Sequence, residues 1–345
     1  MNKKIYINGA EQISIQKPLC EEWIENPIIY DTQYTRSIEP DFKAFLSPIE
    51  ARRMGKILKR ALVSSLSLLN KVGVKEPQAI ITGTGLGCIE NTELFLDSLC
   101  NNGESLLKPT HFMQSTHNTI SSLLSIHTKS HGYNVTYAHK GVSFDSALYD
   151  AYMQLLLGKI KNALVGGHDE MTPSYFTLLE KINYVGGNMK GVCGEAAVSA
   201  FLSNKKENSL CEFVGMRMIY KPTPERLKEE LDKLLAKCNM EGSSIDAIMT
   251  GISGNEANDN VYPDYINAIS PDAALLRYKH LFGECYTSSG FALYAAAHCL
   301  HNNKFPEHLI YKNSLPQDGC RTILLLNHSD GKNFSITLLK SLCGN

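Results

Sequence analysis

A nucleophile is well presented where a strand turns sharply into a helix, and one segment of this chain reads that way. Residues 134–167 run NVTYAHKG, then VSFDSALYDAYMQLLLGK, then IKNALVGG: a strand, a turn, a helix and a second strand. The residue expected at the tip of the turn is Gly141, which has no side chain with which to attack. His139 and Lys140 are the nearest reactive side chains. Neither stands in for a nucleophile at the tip, because a strand-end side chain two residues back points elsewhere, and His139 reads as a structural or interface histidine. The run His168-Asp169-Glu170 has the residue types of a metal or acid cluster. Adjacent residues on a tight turn do not converge on one ion, so no metal is expected there.

The elements around these residues follow from spacing. Phe144, Ala147, Leu148, Ala151, Tyr152, Leu155 and Leu156 form one apolar helical face. Ser143 is expected to cap that helix, Asp145 to sit in its first turn where the dipole favours an acid, and Gly158-Lys159 to stop it. Asn162–Val165, ending in Gly166-Gly167, reads as a buried strand entering a tight loop. A helix through about Leu69 presents Ile57, Leu58, Ala61, Leu62, Leu68 and Leu69 to a core. Arg226–Cys238 reads as a helix with its leucines inward, and Ile245–Thr250 as a buried strand. Thr322–Asn327 and Phe334–Leu339 read as closing strands around Asp330-Gly331-Lys332-Asn333. Strands alternating with helices predict an α/β fold.

Composition narrows the class. With 43% hydrophobic and 20% charged residues, the 345-residue chain can bury a large core. A net charge of −1 gives no electrostatic case for nucleic acid. No apolar run reaches the roughly 18–20 residues of a membrane span, and the N-terminus has no apolar h-region. The ten cysteines are scattered without C-x-x-C or metal spacing, which predicts reduced, buried thiols and a cytoplasmic setting. The polar stretch 203–209 is the best internal boundary, dividing the chain into halves 1–203 and 210–345.

Residues 134–167 resemble the active-site region of the β-ketoacyl synthases, the thiolase-fold condensing enzymes. Counted forward from Gly132 or backward from Gly158, the register puts Gly141 where that family has its acyl-accepting cysteine. Further stretches resemble the family in order: KIYING (4–9), Arg52-Arg53-Met54, AIITGTGLG (79–87), residues 118–132, Gly194-Glu195-Ala196 and KHLFGECYTSSG (279–290). The resemblance implies a thiolase-like αβαβα sandwich of two pseudo-duplicated halves. It also locates the family's two histidines, at Gly251 and Glu284, with Asp259 and Lys279 anchoring the register on either side. The family's aromatic gate is absent; the polar Ser329-Asp330-Gly331-Lys332 stands there instead.

Condensation needs a covalent acyl carrier, a donor pair and an oxyanion hole. With Gly141, Gly251 and Glu284 at the three reactive positions, no condensing chemistry is expected. Gly141 and Gly251 are read as allowing tight backbone geometry, and Glu284 as bonded to Lys279 or backbone. The resemblance is strongest to the chain-length-factor-type subunits of aryl polyene and flexirubin type II polyketide systems. It implies a partner, an active β-ketoacyl synthase, and an acyl carrier protein served by the pair. This chain would supply interface and tunnel wall, with His139, Lys140 and Phe144 as candidates. It implies no cofactor. Two alternatives stay open: an acyl-transfer or decarboxylating enzyme that uses a displaced cysteine, Cys193 or Cys285, and a stand-alone homodimer that binds acyl chains without reacting.

Overall fold

The strand order shows a repeated design. The computed structural model describes residues 3–185, 191–238, 240, 245–317 and 319–342, the Leu106 side chain excepted. The first half contains β1 (Ile5–Ile13), α1 (Pro48–Arg53), α2 (Lys56–Lys71), β2 (Ala79–Gly83), α3 (Ile89–Asn102) and α4 (Pro109–Gln114). It continues with α5 (Thr119–Thr128), β3 (Tyr133–Tyr137), α6 (Ser143–Leu156), β4 (Asn162–Asp169), α7 (Pro173–Lys181) and β5 (Ala196–Ser203). The second contains β6 (Cys211–Tyr220), α8 (Pro224–Lys237), β7 (Ala247–Thr250), α9 (Glu256–Asp259), α10 (Tyr262–Ile269) and β8 (Ala274–Arg277). It ends with α11 (Lys279–Phe282), α12 (Ser289–Asn302), β9 (Ile310–Lys312), β10 (Thr322–Ser329) and β11 (Asn333–Lys340).

All the described strands join one sheet in the order β3-β2-β4-β5-β1-β6-β11-β10-β7-β8-β9. The first half therefore reads β3-β2-β4-β5-β1 and the second β8-β7-β10-β11-β6, the same order with corresponding strands. Orientations repeat too. β2 is parallel to β3 and β4, as β7 is to β8 and β10, while the remaining pairs in each half are antiparallel. The halves meet where Ile5, Tyr6 and Ile7 pair with Phe213, Glu212 and Cys211. This is the thiolase-like sandwich of two pseudo-duplicated halves.

Parallel strands need crossover helices, and α6 and α12 fill that role at matching places in the two halves. Their burial explains their sequences. Residues 289–300 of α12 are buried all round, and the helix is rich in alanine, as a helix packed on every side must be. Phe144 of α6 is 1% exposed and packs in the central core. It is therefore part of the seam between the halves, where with Leu148, Leu325 and Thr337 it borders a small internal cavity. The glycines around it fit this crowding: a Cβ at Gly167 would stand 2.8 Å from the Phe144 ring.

Several local expectations shift. Ser143 is the first residue of α6 and not its cap; its hydroxyl accepts from His139 N–H (2.8 Å) and donates to the Lys140 carbonyl (2.7 Å). β6 had no counterpart in the sequence reading. A register shift where β6 meets β11 at Leu338 and Leu339 interrupts its period-two pattern, and Glu212, Gly215 and Arg217 dilute its apolar character. Six cysteines, including Cys88 and Cys211, are buried and unpaired, while Cys100 is exposed. Cys343 and the stretch between Tyr184 and Gly191 fall wholly or partly outside the described residues. No described helix is long and apolar enough to cross a membrane.

One buried ion group ties α2 to the start of β5. The Arg60 guanidinium, 1% exposed, lies 2.8 Å from Glu39 and 2.9 Å from Glu195, which also accepts from Ser37 N–H. Replacing Arg60 by Met would strand the Glu195 carboxylate in the core. The expected loss is about 3–5 kcal/mol in urea unfolding, with partial recovery when Glu195→Gln is added.

Candidate functional site

The strained residue of the elbow is Lys140. Its φ is +50°, in the left-handed region, whereas neither Gly141 nor Gly251 has a positive φ. Backbone conformation therefore does not demand glycine at either place. Crowding restricts both. A Cβ at Gly141 would stand 3.1 Å from Ser329 Oγ, a tight fit, and one at Gly251 would stand 2.5 Å from Tyr262 Oη. Lys140 and His139 are exposed, and His139 Nδ1 lies 2.9 Å from Ser146 Oγ on α6.

The hairpin that presses Ser329 on Gly141 is legible in its turn. Asp330 and Gly331 both have positive φ, and Lys332 N–H donates to the Ser329 carbonyl at 3.0 Å. This is a two-residue turn of the primed kind that Asp-Gly favours. Two residues earlier, Asn327 Nδ2 donates to the Gly141 carbonyl (3.0 Å) and to Asp145 Oδ2 (2.9 Å). Asp145 also accepts from Ser289 Oγ (2.7 Å) and from Ser335 Oγ. Burial raises the Asp145 carboxyl pKa despite these donors.

The structure brings together the positions singled out in the sequence. Gly141, Gly251, Glu284 and Cys285 border one small cavity of about 40 Å³, with Lys279, Tyr262, Asn327 and His328. That volume holds water, for which roughly 10–15 Å³ suffices, and not an acyl chain. Glu284 pairs with Lys279 at 2.6 Å, and both side chains are largely buried. Gly251 N–H donates to Tyr262 Oη at 3.1 Å. Asp259 accepts from Ser253 and Gly254 N–H groups and so shapes the loop after β7.

His328 is the imidazole that borders this cavity, and it is occupied. Its Nε2 faces the Asn258 carbonyl at 3.1 Å, and its Nδ1 accepts from Gly331 N–H at 3.2 Å. Burial lowers its pKa to about 4, so it is neutral at pH 7. Nothing in the linear pattern marks Tyr262 of α10, Asn327 or His328 as site residues; only the turn signal of Asp330-Gly331 announces the hairpin that carries the last two.

The two candidate cysteines are poor nucleophiles. Both are buried. Burial, assisted by Glu284, pushes the Cys193 thiol up to about 12, so only about one in 10⁵ is ionised at pH 7. Cys285 is raised well above its ordinary value by burial, with Asp169 and Glu284 adding to the effect.

The run His168-Asp169-Glu170 lies at the end of β4, its first two residues on the strand and not on a tight turn, and it serves the scaffold. Asp169 Oδ1 accepts from Gly85 N–H (2.9 Å), Leu86 N–H (3.1 Å) and Thr84 Oγ1, and so holds the glycine loop. Glu170 Oε1 accepts from Glu90 N–H (2.8 Å) at the start of α3. His168 is fully buried, and its pKa falls to about 3. Among the described residues no three His, Cys, Asp or Glu side chains are placed to hold a metal ion.

With this geometry in hand, the relatives can be set beside it. The family model for the β-ketoacyl synthase N-terminal domain matches residues 21–215, more than half of the chain. The chain belongs to the β-ketoacyl synthase family. No curated protein matches it. Among solved structures, the ishigamide ketosynthase/chain length factor superposes with a TM-score of 0.81 at 15% identity, covering 99% of this chain and 100% of that one. A ketosynthase (ApeO) in complex with its chain length factor (ApeC) from Xenorhabdus doucetiae gives 0.78 at 14%, covering 98% of each. A β-ketoacyl synthase from Burkholderia phymatum gives 0.77 at 13%, covering 99% of this chain and all of that one. At these identities the likeness shows that this ketosynthase-family chain has the fold.

Glu170 gives the fold a definite pH dependence. Burial raises its carboxyl from 4.5 to about 8, so its favourable contribution is complete below about pH 4.5 and is lost as pH rises through 8. Urea midpoints should therefore fall between pH 5 and 9. Glu170→Gln, which keeps the acceptor for Glu90 N–H, should flatten that fall.

Proposed function

We propose that this chain is a non-catalytic ketosynthase-like subunit of the chain-length-factor type, which pairs with an active β-ketoacyl synthase and walls its acyl tunnel. One observation carries the reading. The place expected to hold an acyl-accepting cysteine is Gly141, and Ser329 of the β10–β11 hairpin crowds the space a side chain would need. The two places expected to hold histidines support it. Tyr262 Oη occupies the space beside Gly251, and Glu284 is neutralised by Lys279. An electrostatic donor pair for decarboxylation is therefore missing. The suppressed thiols of Cys193 and Cys285 speak against an enzyme with a displaced nucleophile.

The surface supports a partner. β3 ends the sheet, with β2 as its sole strand neighbour among the described residues. Its sequence, YNVTY, has no charge, whereas β9 at the opposite end is only three residues long and carries Lys312. Free edges are normally shortened or charged, so β3 resembles an edge awaiting cover. Exposed apolar side chains lie on the helices that precede it in the chain: Ile126 on α5, which packs against β3, Phe112 and Met113 on α4, and Leu94 and Leu96 on α3. We place the synthase there, with a polyene-type acyl chain carried by an acyl carrier protein as the substrate of the pair.

Two experiments test this. Intact-mass measurement after incubation with malonyl- or acyl-carrier protein should show no adduct on the chain; an acyl adduct on Cys193 or Cys285 would support the enzyme instead. Ile126→Asp with Phe112→Asp should weaken co-purification with a co-expressed cysteine-bearing ketosynthase at least tenfold, with little change in thermal midpoint. Unchanged co-purification would remove β3 and its flanking helices as the docking edge.

A further inference from the structure

A spacious cavity lies away from the elbow. It is a groove of about 760 Å³ where β1 meets β6, between the C-terminal half of α6 and the last turn of α8. Its floor is apolar: Tyr152, Met153 and Leu156 come from α6, Phe213 from β6 and Leu234 from α8. Tyr152, Phe213 and Leu234 are buried, so these walls belong to the packed core. Gly215 keeps the walls close, because a Cβ there would stand 2.5 Å from Leu234 and 3.3 Å from Tyr152 Oη.

The rim has the opposite character. Lys3, Lys4, Arg217, Lys237 and Lys340 line it, against a single carboxylate, Glu212. Five cations and one anion leave a local excess of four positive charges, on a chain whose net charge is −1. Internal pairing neutralises little of it. Lys4 lies 3.1 Å from Glu212 but is exposed, and Arg217 is 3.9 Å from Glu230 while donating to the Met216 carbonyl. Like charges gathered round a low-dielectric floor repel one another and focus a positive potential into the groove. An apolar floor under a cationic rim complements one chemistry, a negative head on an aliphatic tail. The volume falls in the roughly 300–1,000 Å³ range of small-molecule sites.

We infer that this groove binds a long-chain amphiphile with an anionic head, carboxylate or phosphate. The tail lies along Met153, Leu156 and Phe213, and the head sits among Lys4, Arg217 and Lys237. Binding is non-covalent, and it is independent of the role proposed for the elbow, since no residue of the groove borders that cavity.

The test uses the full-length chain with dodecanoate, dodecyl phosphate and neutral dodecanol, titrated calorimetrically, and a diazirine-bearing C12 fatty acid whose cross-links are mapped by mass spectrometry. Both anions should bind saturably, and at least tenfold more tightly than the alcohol. Affinity should fall with added salt. Lys4→Glu with Lys237→Glu, both exposed, should weaken binding at least tenfold at an unchanged thermal midpoint. Labels should fall on peptides spanning 149–156 and 213–217. If only one anion binds, the head group is named and the inference stands. Equal affinity for dodecanol, indifference to the paired substitutions, or labels confined to Tyr184, Tyr262 and His328 would overturn it, as would absence of saturable binding.

Discussion

A carboxylate buried without a cation holds this structure together. Asp145, in the first turn of α6, belongs to the first half, while its donors Ser289, Asn327 and Ser335 all belong to the second. A buried carboxylate left short of donors costs about 1–3 kcal/mol or more per missing bond, so the halves can dock only in the register that supplies them. Asn327 also holds the Gly141 carbonyl. The interaction that docks the halves is thus the one that fixes the elbow beneath Ser329.

The same economy marks the other reactive places. Where a condensing site needs groups free to give and take protons, each candidate group here is already engaged. Glu284 is paired with Lys279, His328 is bonded at both ring nitrogens, and the Tyr262 hydroxyl rests on Gly251 N–H. The scaffold around them is tied by its own polar contacts, among them the glycine loop held by Asp169 and the Arg60–Glu195 pair. Packing and hydrogen bonding can keep a fold independently of any chemistry placed on it, because the two depend on different side chains.

The sequence shows much of the scaffold and less of the site. The period of α6 and the core face of α2 are local patterns that form as read, whereas the strand expected to end at Gly166-Gly167 runs on through both glycines to Asp169. Gly141, Gly251 and Glu284 could be brought to one place because family spacing carries three-dimensional information that periodicity lacks. Their surroundings could not be read. That Ser329 presses on Gly141 depends on a contact across 188 residues, which no window contains, and that Tyr262 presses on Gly251 depends on how the loop after β7 folds back, which periodicity does not encode. The strain at Lys140 was hidden because lysine seldom marks a left-handed turn, whereas the neighbouring glycine drew attention to itself. Strand β6 escaped because one extra residue at its bulge breaks the alternation on which recognition relies.

The central claim is that this chain contributes walls and contacts while another subunit does the chemistry. Its most direct test is a reconstituted pair in which the partner ketosynthase has its active-site cysteine changed to alanine and this chain is left intact. Supplied with acyl and malonyl carrier protein, that pair should form no condensed product, whereas the unaltered pair forms it. Condensation that survives loss of the partner's cysteine would show that this chain carries a reacting group and would contradict the account.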